Sequence, residues 1–257
     1  MNKQSSPYKR LCAEYYELDK PLASKDALRC YLRYAEEANG PILEPMCGTG
    51  RFLIPLLERG YSVTGFDYSS HMLDVCRRKC KELGLTGTLL EATFETFVPP
   101  KTYNLIFIPG GSFCLLTDAK QATQALKFIS NWLKPGGKFV FEIETLKAVG
   151  EPQGIWKGNW VNKPDGSKIV LSTISRFDAI SRIEKVFCRY ELWDGNTISR
   201  TDVEEFVLRL YEPVEIEQLL EQHELKIIGK WQAEHYSWTE VNGTTAVILY
   251  ECIKKAF

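Results

Sequence analysis

The sequence predicts an α/β fold in which a doubly wound, mostly parallel sheet is interrupted late in the chain by an antiparallel β subdomain. From residue 41 to about 144, short β-rich runs alternate with segments of helical periodicity, which is typical of right-handed βαβ units. From about 155 to 211 the pattern changes to period two, punctuated by turn formers at KPDG, FDA and WDGN. This second pattern favours four antiparallel strands.

Five runs in the first half are the predicted core strands: PILEPMC (41–47), YSVTGFD (61–67), GTLLEAT (87–93), YNLIFIP (103–109) and KFVFEIE (138–144). Two helices are predicted over 9–38, with Ser24 as an N-cap and Gly40 ending the second. Pro213 opens a helix, PVEIEQLLEQH, which precedes two last strands, LKIIGKWQ and TTAVILYECIK. We therefore predict four segments: N-terminal helices over 1–40, a core over 41–150, an antiparallel cap over 151–212, and the rest of the core over 213–257.

Composition limits the classes of function. The 257 residues carry 32 Lys and Arg against 33 Asp and Glu, so no broad cationic surface for nucleic acid is evident. The start, MNKQSSPYKR, is polar, and no apolar run reaches the roughly 20 residues of a membrane span. Eight cysteines without a C-x-x-C pair are typical of reduced thiols, and Cys76 and Cys80 have no histidine nearby. We expect a cytoplasmic protein that binds no nucleic acid, membrane or metal.

The first predicted strand runs into a glycine turn, ILEPMCGTGR, at residues 42–51. Gly48 and Gly50 allow a ligand to approach the backbone and the start of a helix, which is predicted near 49–51. A dinucleotide fingerprint would place a third glycine where this chain has Leu53. Two glycines alone are equally compatible with a tight turn that binds nothing.

Two acidic residues favour a ligand at this turn. Glu44 ends the first strand, where burial of an unpaired carboxylate would be costly, and its charge disfavours a phosphate and favours a cationic amino group. Asp67 ends the second strand, the position from which a carboxylate binds ribose hydroxyls. Asp67 could instead cap the following helix, although Ser69 or Ser70 could serve there.

Four stretches then carry a family resemblance: ILEPMCGTGRF, VTGFDYSSHMLDVCRRK, YNLIFIPGGSFCLL and LKPGGKFVFEI. In this order they resemble the motifs of class I S-adenosylmethionine-dependent methyltransferases. The resemblance implies a Rossmann-like sheet of seven strands with the last antiparallel, S-adenosyl-L-methionine as cofactor and S-adenosyl-L-homocysteine as product. The cofactor-binding residues that it implies are Tyr16, Glu44, Met46, Cys47, Gly48, Gly50, Asp67, Tyr68, Met72, Ala92, Thr93 and Ile108.

The family pattern also assigns roles to these positions. Glu44 and the backbone from Met46 to Gly50 would hold the methionine part, Asp67 the ribose, and Tyr68 and Met72 the adenine faces. Relatives usually bring an Asp to the adenine amino group after the third strand. This chain has Glu91, Ala92 and Thr93 at that place, so the resemblance implies that Thr93 or Glu91 makes this contact instead of an Asp. The carbonyl near Ile108 would accept from the methionine amino group.

The layout of the whole chain is similar to small-molecule N-methyltransferases, in particular the amino-sugar N,N-dimethyltransferases. This similarity implies an N-terminal lid in which Tyr16 or Tyr15 closes over the cofactor, and a cap that covers the substrate and takes part in a homodimer. Relatives of this kind place a histidine where this chain has Leu115. His71 and His223 are predicted to be solvated, whereas His235 could approach the pocket, so the catalytic residues stay unassigned.

The cap and its return strands are rich in aromatic residues: Trp156, Trp160, Tyr190, Trp193, Tyr211, Trp231, Tyr236 and Trp238. These rings could contact a small methyl acceptor or a cation. The simpler interpretation is that they form the core of the cap and a dimer interface. Arg176 and Arg209 could bind a carboxylate or be solvated strand charges.

We predict a methyltransferase that acts on a small-molecule acceptor, an amine nitrogen above all, by in-line displacement. One alternative is a protein or nucleic-acid methyltransferase. The near-neutral charge disfavours it, as does IPGGSF in place of an Asn/Asp-Pro-Pro-Tyr-type sequence after the fourth strand. The other alternative is a non-catalytic protein that binds S-adenosylmethionine.

Overall fold

A seven-stranded mixed sheet organises the chain, in a computed structural model that describes residues 8–234 and 236–255. Its helices are α1 (Arg10–Asp19), α2 (Lys25–Ala38), α3 (Leu53–Glu58), α4 (Ser70–Glu82), α5 (Ala119–Trp132) and α6 (Pro213–Gln222). The strands of this sheet are β1 (Ile42–Pro45), β2 (Val63–Asp67), β3 (Thr88–Glu91), β4 (Tyr103–Ile108), β5 (Leu133–Glu144), β10 (Leu225–Gln232) and β11 (Val247–Lys254). The remaining strands are β6 (Lys157–Asn162), β7 (Lys168–Asp178), β8 (Ile183–Asp194) and β9 (Thr197–Arg209).

The strand order is β10-β11-β5-β4-β1-β2-β3. The five strands β1 to β5 pair in parallel, whereas β11 pairs antiparallel with both β5 and β10. The predicted sheet of seven strands with a reversed last strand is therefore confirmed. The chain winds outward from β1 to β3 and then crosses to β4 on the other side of β1, so the carboxyl ends of β1 and β4 flank the switch point, where ligands bind in open α/β sheets.

Helices cover both faces of this sheet, which explains why every residue of β1 and β2 is buried. One core cluster joins α5 and α6 to the sheet, with Phe66, Trp132 and Phe141 among its members. The other cluster joins α2, α3 and α4 to the opposite face, and Tyr31 is buried there at 1% exposure.

The four strands β6 to β9 form a separate antiparallel sheet, the cap, as predicted. Its inner face packs on the lid, by which we mean helices α1 and α2. The contact is a small apolar cluster that joins Leu11, Cys12 and Tyr15 of α1 to Ile169 and Tyr190 of the cap.

Three local predictions were wrong. Helix α3 begins at Leu53 and not near 49–51, because Met46, Gly48 and Gly50 have positive φ and keep the preceding segment in a turn. Helix α2 ends at Asn39, which has the left-handed conformation (φ 42°), and not at Gly40 as predicted. Position 40 requires glycine for another reason: a Cβ there would lie 2.4 Å from the Asn104 side chain. Strand β5 begins at Leu133, five residues early, since Leu133 already pairs with Tyr103 of β4.

Candidate cofactor and acceptor site

A cavity of about 630 Å³, including the part open to solvent, lies at the switch point beneath the lid. We call it the cofactor cavity. Its lining residues are Tyr8, Tyr16, Glu44, Met46, Cys47, Gly48, Thr49, Arg51, Phe52, Asp67, Tyr68, Met72, Pro109, Gly110, Ser112 and Leu115. The lining thus comes from the lid, the glycine turn, the start of α4 and the segment after β4.

The two glycines of the turn serve different purposes. Both have positive φ, +53° at Gly48 and +80° at Gly50. A Cβ at Gly50 would lie 2.6 Å from the Cys76 sulfur, so this glycine allows α4 to pack against the turn. At Gly48 the nearest such contact is the Met72 methyl at 3.8 Å, which leaves the backbone open to the cavity.

Glu44 is the less exposed of the two acidic residues that line the cavity. It is 2% exposed, and its Oε2 atom has no hydrogen-bond partner among the described residues. Burial raises the pKa of this carboxyl well above its usual range, and the charge of Asp67 raises it further, while the Leu53 backbone N–H and Arg51 lower it. An unsatisfied buried carboxylate at the floor of a cavity is suited to a cationic ligand group.

Asp67 is held rigidly by the backbone. Its Oδ2 accepts from the Gly48 N–H at 2.9 Å, and its Oδ1 accepts from the Ser69 N–H at 2.8 Å. Burial is the main reason that its pKa is raised. The N-cap of α4 is Ser69, whose hydroxyl accepts from the Met72 N–H at 3.3 Å. Because each carboxylate oxygen accepts two hydrogen bonds, Asp67 keeps capacity for ligand hydroxyls.

Arg51 is a cavity residue that the sequence interpretation missed. Its Nη1 donates to the Tyr16 hydroxyl at 2.9 Å, and its guanidinium carbon lies 5.6 Å from the centre of the Tyr16 ring. Its Nε is buried without a partner in the described part of the chain. The sequence contains an indication of this role, because Arg51 directly follows the second glycine in GTGR. Its positive charge there complements the negative charge of Glu44.

Eight of the twelve predicted cofactor residues line the cavity: Tyr16, Glu44, Met46, Cys47, Gly48, Asp67, Tyr68 and Met72. The structure does not bring the other four into the lining. Ile108 is fully buried, and Gly50 faces α4. Ala92 donates its N–H to the Asp67 carbonyl at 3.0 Å, and Thr93 is exposed and bonds to Thr96. Cofactor contacts of all twelve stay predictions.

Of the two candidate lid tyrosines, Tyr16 faces the cavity. Tyr15 points to the cap, where its ring meets Tyr190 edge-on at 5.7 Å. Tyr8 also lines the cavity, and its ring lies 6.2 Å from Tyr68 and 4.9 Å from Phe206 of the cap.

A cap carboxylate fixes the start of the lid. Glu204, which is 1% exposed, accepts from the backbone N–H groups of Tyr8 and Lys9, the latter at 2.8 Å. The Ser69 hydroxyl donates to the Tyr8 carbonyl at 3.0 Å. Tyr8 is thus held between the cap and the start of α4. No local pattern revealed this contact, because Glu204 lies far away in the sequence.

A second buried carboxylate, Glu142 on β5, supports the segment after β4. It accepts from the Tyr31 hydroxyl at 2.6 Å, the Tyr236 hydroxyl at 2.9 Å and the Gly110 N–H at 3.0 Å. Burial raises its pKa, and these three donors lower it. Glu142 therefore ties the cavity wall at Gly110 to the lid and to the segment after β10.

The other predicted functional residues lie elsewhere. Arg209 pairs with Glu215, and Arg176 is exposed. His71 is exposed as predicted, whereas His223 is partly buried, which corrects its predicted solvation. His235 lies outside the described residues. Leu115, where the family resemblance led us to expect a histidine, lines the cavity.

The cap aromatics are divided between interior and surface. Tyr190 and Tyr211 are buried, whereas Trp156 and Trp160 are exposed. Trp238 contacts a surface cation, since the guanidinium of the exposed Arg33 lies 3.9 Å from its ring centre. Within residues 8–234 and 236–255, no group of three His, Cys, Asp or Glu is placed to bind a metal, and no helix is long and apolar enough to cross a membrane.

Comparison with known families agrees with this geometry. Residues 42–137, from β1 to the middle of β5, match the family described as a methyltransferase domain. The fold of the chain is that of class I methyltransferases, and the matched domain, the names of its relatives and its structural neighbours together indicate an S-adenosylmethionine-dependent methyltransferase.

Among individual proteins, the chain is 24% identical to a putative methyltransferase, YqeM, of Bacillus subtilis, over 70% of this chain and 71% of that one. Alignments with six further curated relatives span between 37% and 58% of those proteins. Of solved structures, an S-adenosylmethionine-dependent methyltransferase from Clostridium acetobutylicum has a TM-score of 0.78 at 23% identity, over 95% of this chain and 97% of that one. The sugar N-methyltransferase KedS8 from Streptoalloteichus has a TM-score of 0.75 at 16% identity, over 100% and 99%.

Proposed function

We propose that this protein transfers a methyl group from S-adenosylmethionine to an amine nitrogen of a small molecule. The single observation that carries the proposal is the enclosure of the cofactor cavity. Tyr16 of the lid and Tyr8 just before it lie over the cavity, and the inner face of the cap packs on the lid. An acceptor has to fit under this cover, which favours a small molecule over a folded protein or a nucleic acid. KedS8, whose fold this chain shares over its whole length, is by name a sugar N-methyltransferase.

The residues of the cavity suit the cofactor. Glu44 offers an unsatisfied carboxylate oxygen for the α-ammonium of the methionine part, and Arg51 a guanidinium with a free Nε for its α-carboxylate. Asp67 suits the ribose hydroxyls, and Tyr68 and Met72 the adenine. The bound cofactor supplies an electrophilic methyl group on a sulfonium. The protein's part is to hold the acceptor nitrogen in line with that methyl group, and such positioning accounts for about 7–11 kcal/mol in favourable cases.

The test begins with calorimetric titration of S-adenosylhomocysteine into the purified chain. We expect binding by the natural protein and at least about tenfold weaker binding by Asp67→Ala, since hydrogen bonds to charged groups contribute about 1.5–3 kcal/mol. Asp178→Ala is the matched control, because Asp178 is an exposed cap carboxylate. Absence of binding by the natural protein would contradict the cofactor assignment.

Acceptor class is tested with radiolabelled S-adenosylmethionine. The chain is offered a panel of small amines, the corresponding alcohols, purified tRNA and a mixed protein extract. Labelled amines are the expected products. Label in tRNA or protein alone would support the macromolecular alternative, and binding without any transfer would support a non-catalytic role.

We also propose that the protein forms a homodimer through the outer face of the cap. Trp156, Trp160 and Phe187 expose 51%, 61% and 38% of their surfaces there. Exposed aromatic side chains on one face of a sheet are typical of interfaces. Light scattering should give the mass of a dimer, and Trp160→Glu should shift it to a monomer, with exposed Ile180→Glu as the control.

A further inference from the structure

The two lid helices belong to different parts of the molecule. Three buried apolar residues of α1 cluster with the inner face of the cap: Leu11, Cys12 and Tyr15. No residue of α1 belongs to either cluster of the core, whereas α2 packs on the main sheet within the cluster that contains Tyr31. The link between the two helices, residues 20–24, is mostly exposed. Helix α1 is therefore joined to the cap by a buried apolar contact and to α2 by an exposed link.

Polar contacts strengthen the attachment of α1 to the cap. Besides Glu204, the cap carboxylate of Asp202 accepts from the Leu11 N–H at 3.3 Å. Further along the helix, the Lys163 Nζ atom of the cap lies 3.3 Å from the Glu14 Oε2 atom. Separation of α1 from the cap would break these contacts and also expose the apolar cluster to water. This combination favours movement of α1 and the cap as one unit.

An ion pair ties α1 to the core. The Lys79 Nζ atom of α4 lies 2.8 Å from the Glu17 Oε1 atom, and the two side chains are only 17% and 18% exposed. The same Nζ atom donates to the carbonyl of Pro21, in the link, at 3.3 Å. Arg51 adds the hydrogen bond to Tyr16 described above. Water replaces such polar partners at modest cost, so α1 separates more easily from the core than from the cap.

We propose that α1 and the cap move away from the core as one unit to admit the cofactor and release its product, and that the Lys79–Glu17 ion pair is the latch that holds them closed. Tyr16 of α1 lies over the cofactor cavity, so this movement uncovers the cavity. The link at residues 20–24 is the hinge between α1 and α2. The inference goes beyond the proposed function, because it concerns exchange of the cofactor and holds for any acceptor.

A latch outside the binding site has a kinetic signature. Neither Lys79 nor Glu17 lines the cofactor cavity, so we expect the ion pair to be equally strong in the free and the occupied protein. A contact of equal strength in both states changes how often the cavity opens and leaves the affinity unchanged. Loss of the latch should therefore raise the association and dissociation rate constants of S-adenosylhomocysteine by the same factor.

The first test measures both rate constants for the whole chain by surface plasmon resonance. We expect Lys79→Ala and Glu17→Ala to raise each of them about fivefold or more, since a charged hydrogen bond is lost. Lys79→Arg keeps the charge and should retain the slow exchange. Arg78→Ala is the matched control, because it removes an exposed ion pair with Glu82 on the same helix. Unchanged rate constants in both Ala variants would overturn the inference, as would a rise in the dissociation rate constant alone.

The second test blocks the movement itself. The chain with Glu17→Cys and Lys79→Cys is treated with dithiobismaleimidoethane, a thiol cross-linker that dithiothreitol cleaves. All eight native cysteines are buried, so the introduced pair is the accessible one. We expect uptake and release of S-adenosylhomocysteine to stop in the cross-linked chain and to resume after cleavage. Free exchange in a chain that mass spectrometry shows to be cross-linked would overturn the inference. Absence of binding by the natural protein would contradict the cofactor assignment, on which the inference also depends.

Discussion

At the scale of single residues, the site depends on carboxylates that are buried before any ligand arrives. Glu44 and Asp67 are both nearly inaccessible, and burial raises the pKa of both. Their raised pKa values mean that the folded protein retains protons that the unfolded chain has lost. Between the ordinary carboxyl value and the raised one, the free energy of unfolding of the ligand-free protein therefore falls as pH rises.

We predict that cofactor binding releases protons and tightens as pH rises through the raised pKa of Glu44. The reason is that an α-ammonium pairs with the ionised carboxylate, while burial favours the protonated form in the free protein. Calorimetric titration of S-adenosylhomocysteine in two buffers of different ionisation enthalpy measures this release. Glu44→Gln should bind more weakly and lose the release, whereas equal proton release by the variant would contradict the assignment.

Glu142 gives a stability prediction. Glu142→Leu leaves three donors without their acceptor, from Tyr31, Tyr236 and Gly110. The Tyr31 hydroxyl is fully buried, and such an orphan group costs about 1–3 kcal/mol, while the half-buried Tyr236 hydroxyl and the exposed Gly110 N–H add smaller costs. We expect the free energy of unfolding to fall by about 3 kcal/mol or more, measured by urea denaturation. Tyr236→Phe, which removes one donor and leaves no orphan, should cost about 1 kcal/mol. Similar small losses in both variants would show that Glu142 is not the organising group.

At the scale of elements, the two lid helices begin in different ways. Helix α2 carries its own cap, because the Ser24 hydroxyl accepts from the Ala27 N–H at 3.2 Å. Helix α1 has no side-chain cap of its own at Lys9. Two carboxylates of the cap hold its start instead: Glu204 accepts from the Lys9 N–H just before the helix, and Asp202 accepts from the Leu11 N–H in its first turn at 3.3 Å. The lid is therefore partly autonomous and partly dependent on the cap.

We predict that Glu204→Ala loosens α1 without unfolding the protein. Amide exchange over residues 10–19 should accelerate, because the variant loses the two hydrogen bonds that fix Tyr8 and Lys9 just before the helix, and hydrogen bonds to charged groups contribute about 1.5–3 kcal/mol. Binding of S-adenosylhomocysteine should weaken as well, because Tyr8 lines the cavity. Glu205→Ala, on the opposite face of the same strand, serves as the control. Unchanged exchange in α1 would contradict the role of Glu204.

In α2, Ser24→Ala should lower the free energy of unfolding by about 1 kcal/mol. Cofactor affinity should not change, because Ser24 does not line the cavity. Thermal or urea unfolding measures the first effect, and calorimetry the second. Ser24→Asp keeps an acceptor at the N-cap and should preserve stability. A weakened affinity in Ser24→Ala would show that α2 also adjusts the cavity.

At the scale of the whole molecule, the order of elements was predictable and the long-range contacts were not. Periodicity predicted every strand of the main sheet and of the cap, because strand and helix patterns are local. The caps at Ser24 and Ser69 were predictable for the same reason. Glu204 and Glu142 were not, since each meets partners that only the tertiary fold brings near. Arg51 lay within the recognised motif, but its partner Tyr16 did not.

The last strand has a consequence for how the chain is made. Strand β11 inserts between β5 and β10, with Val247 opposite Glu144, so the sheet is complete only when residues 247–254 have been made. Until then, on the ribosome or in a truncated chain, β5 presents an open, apolar edge, which is a template for wrong pairing. Closure across such a long separation in sequence is slow. Chains that end before residue 247 should therefore depend on chaperones or aggregate.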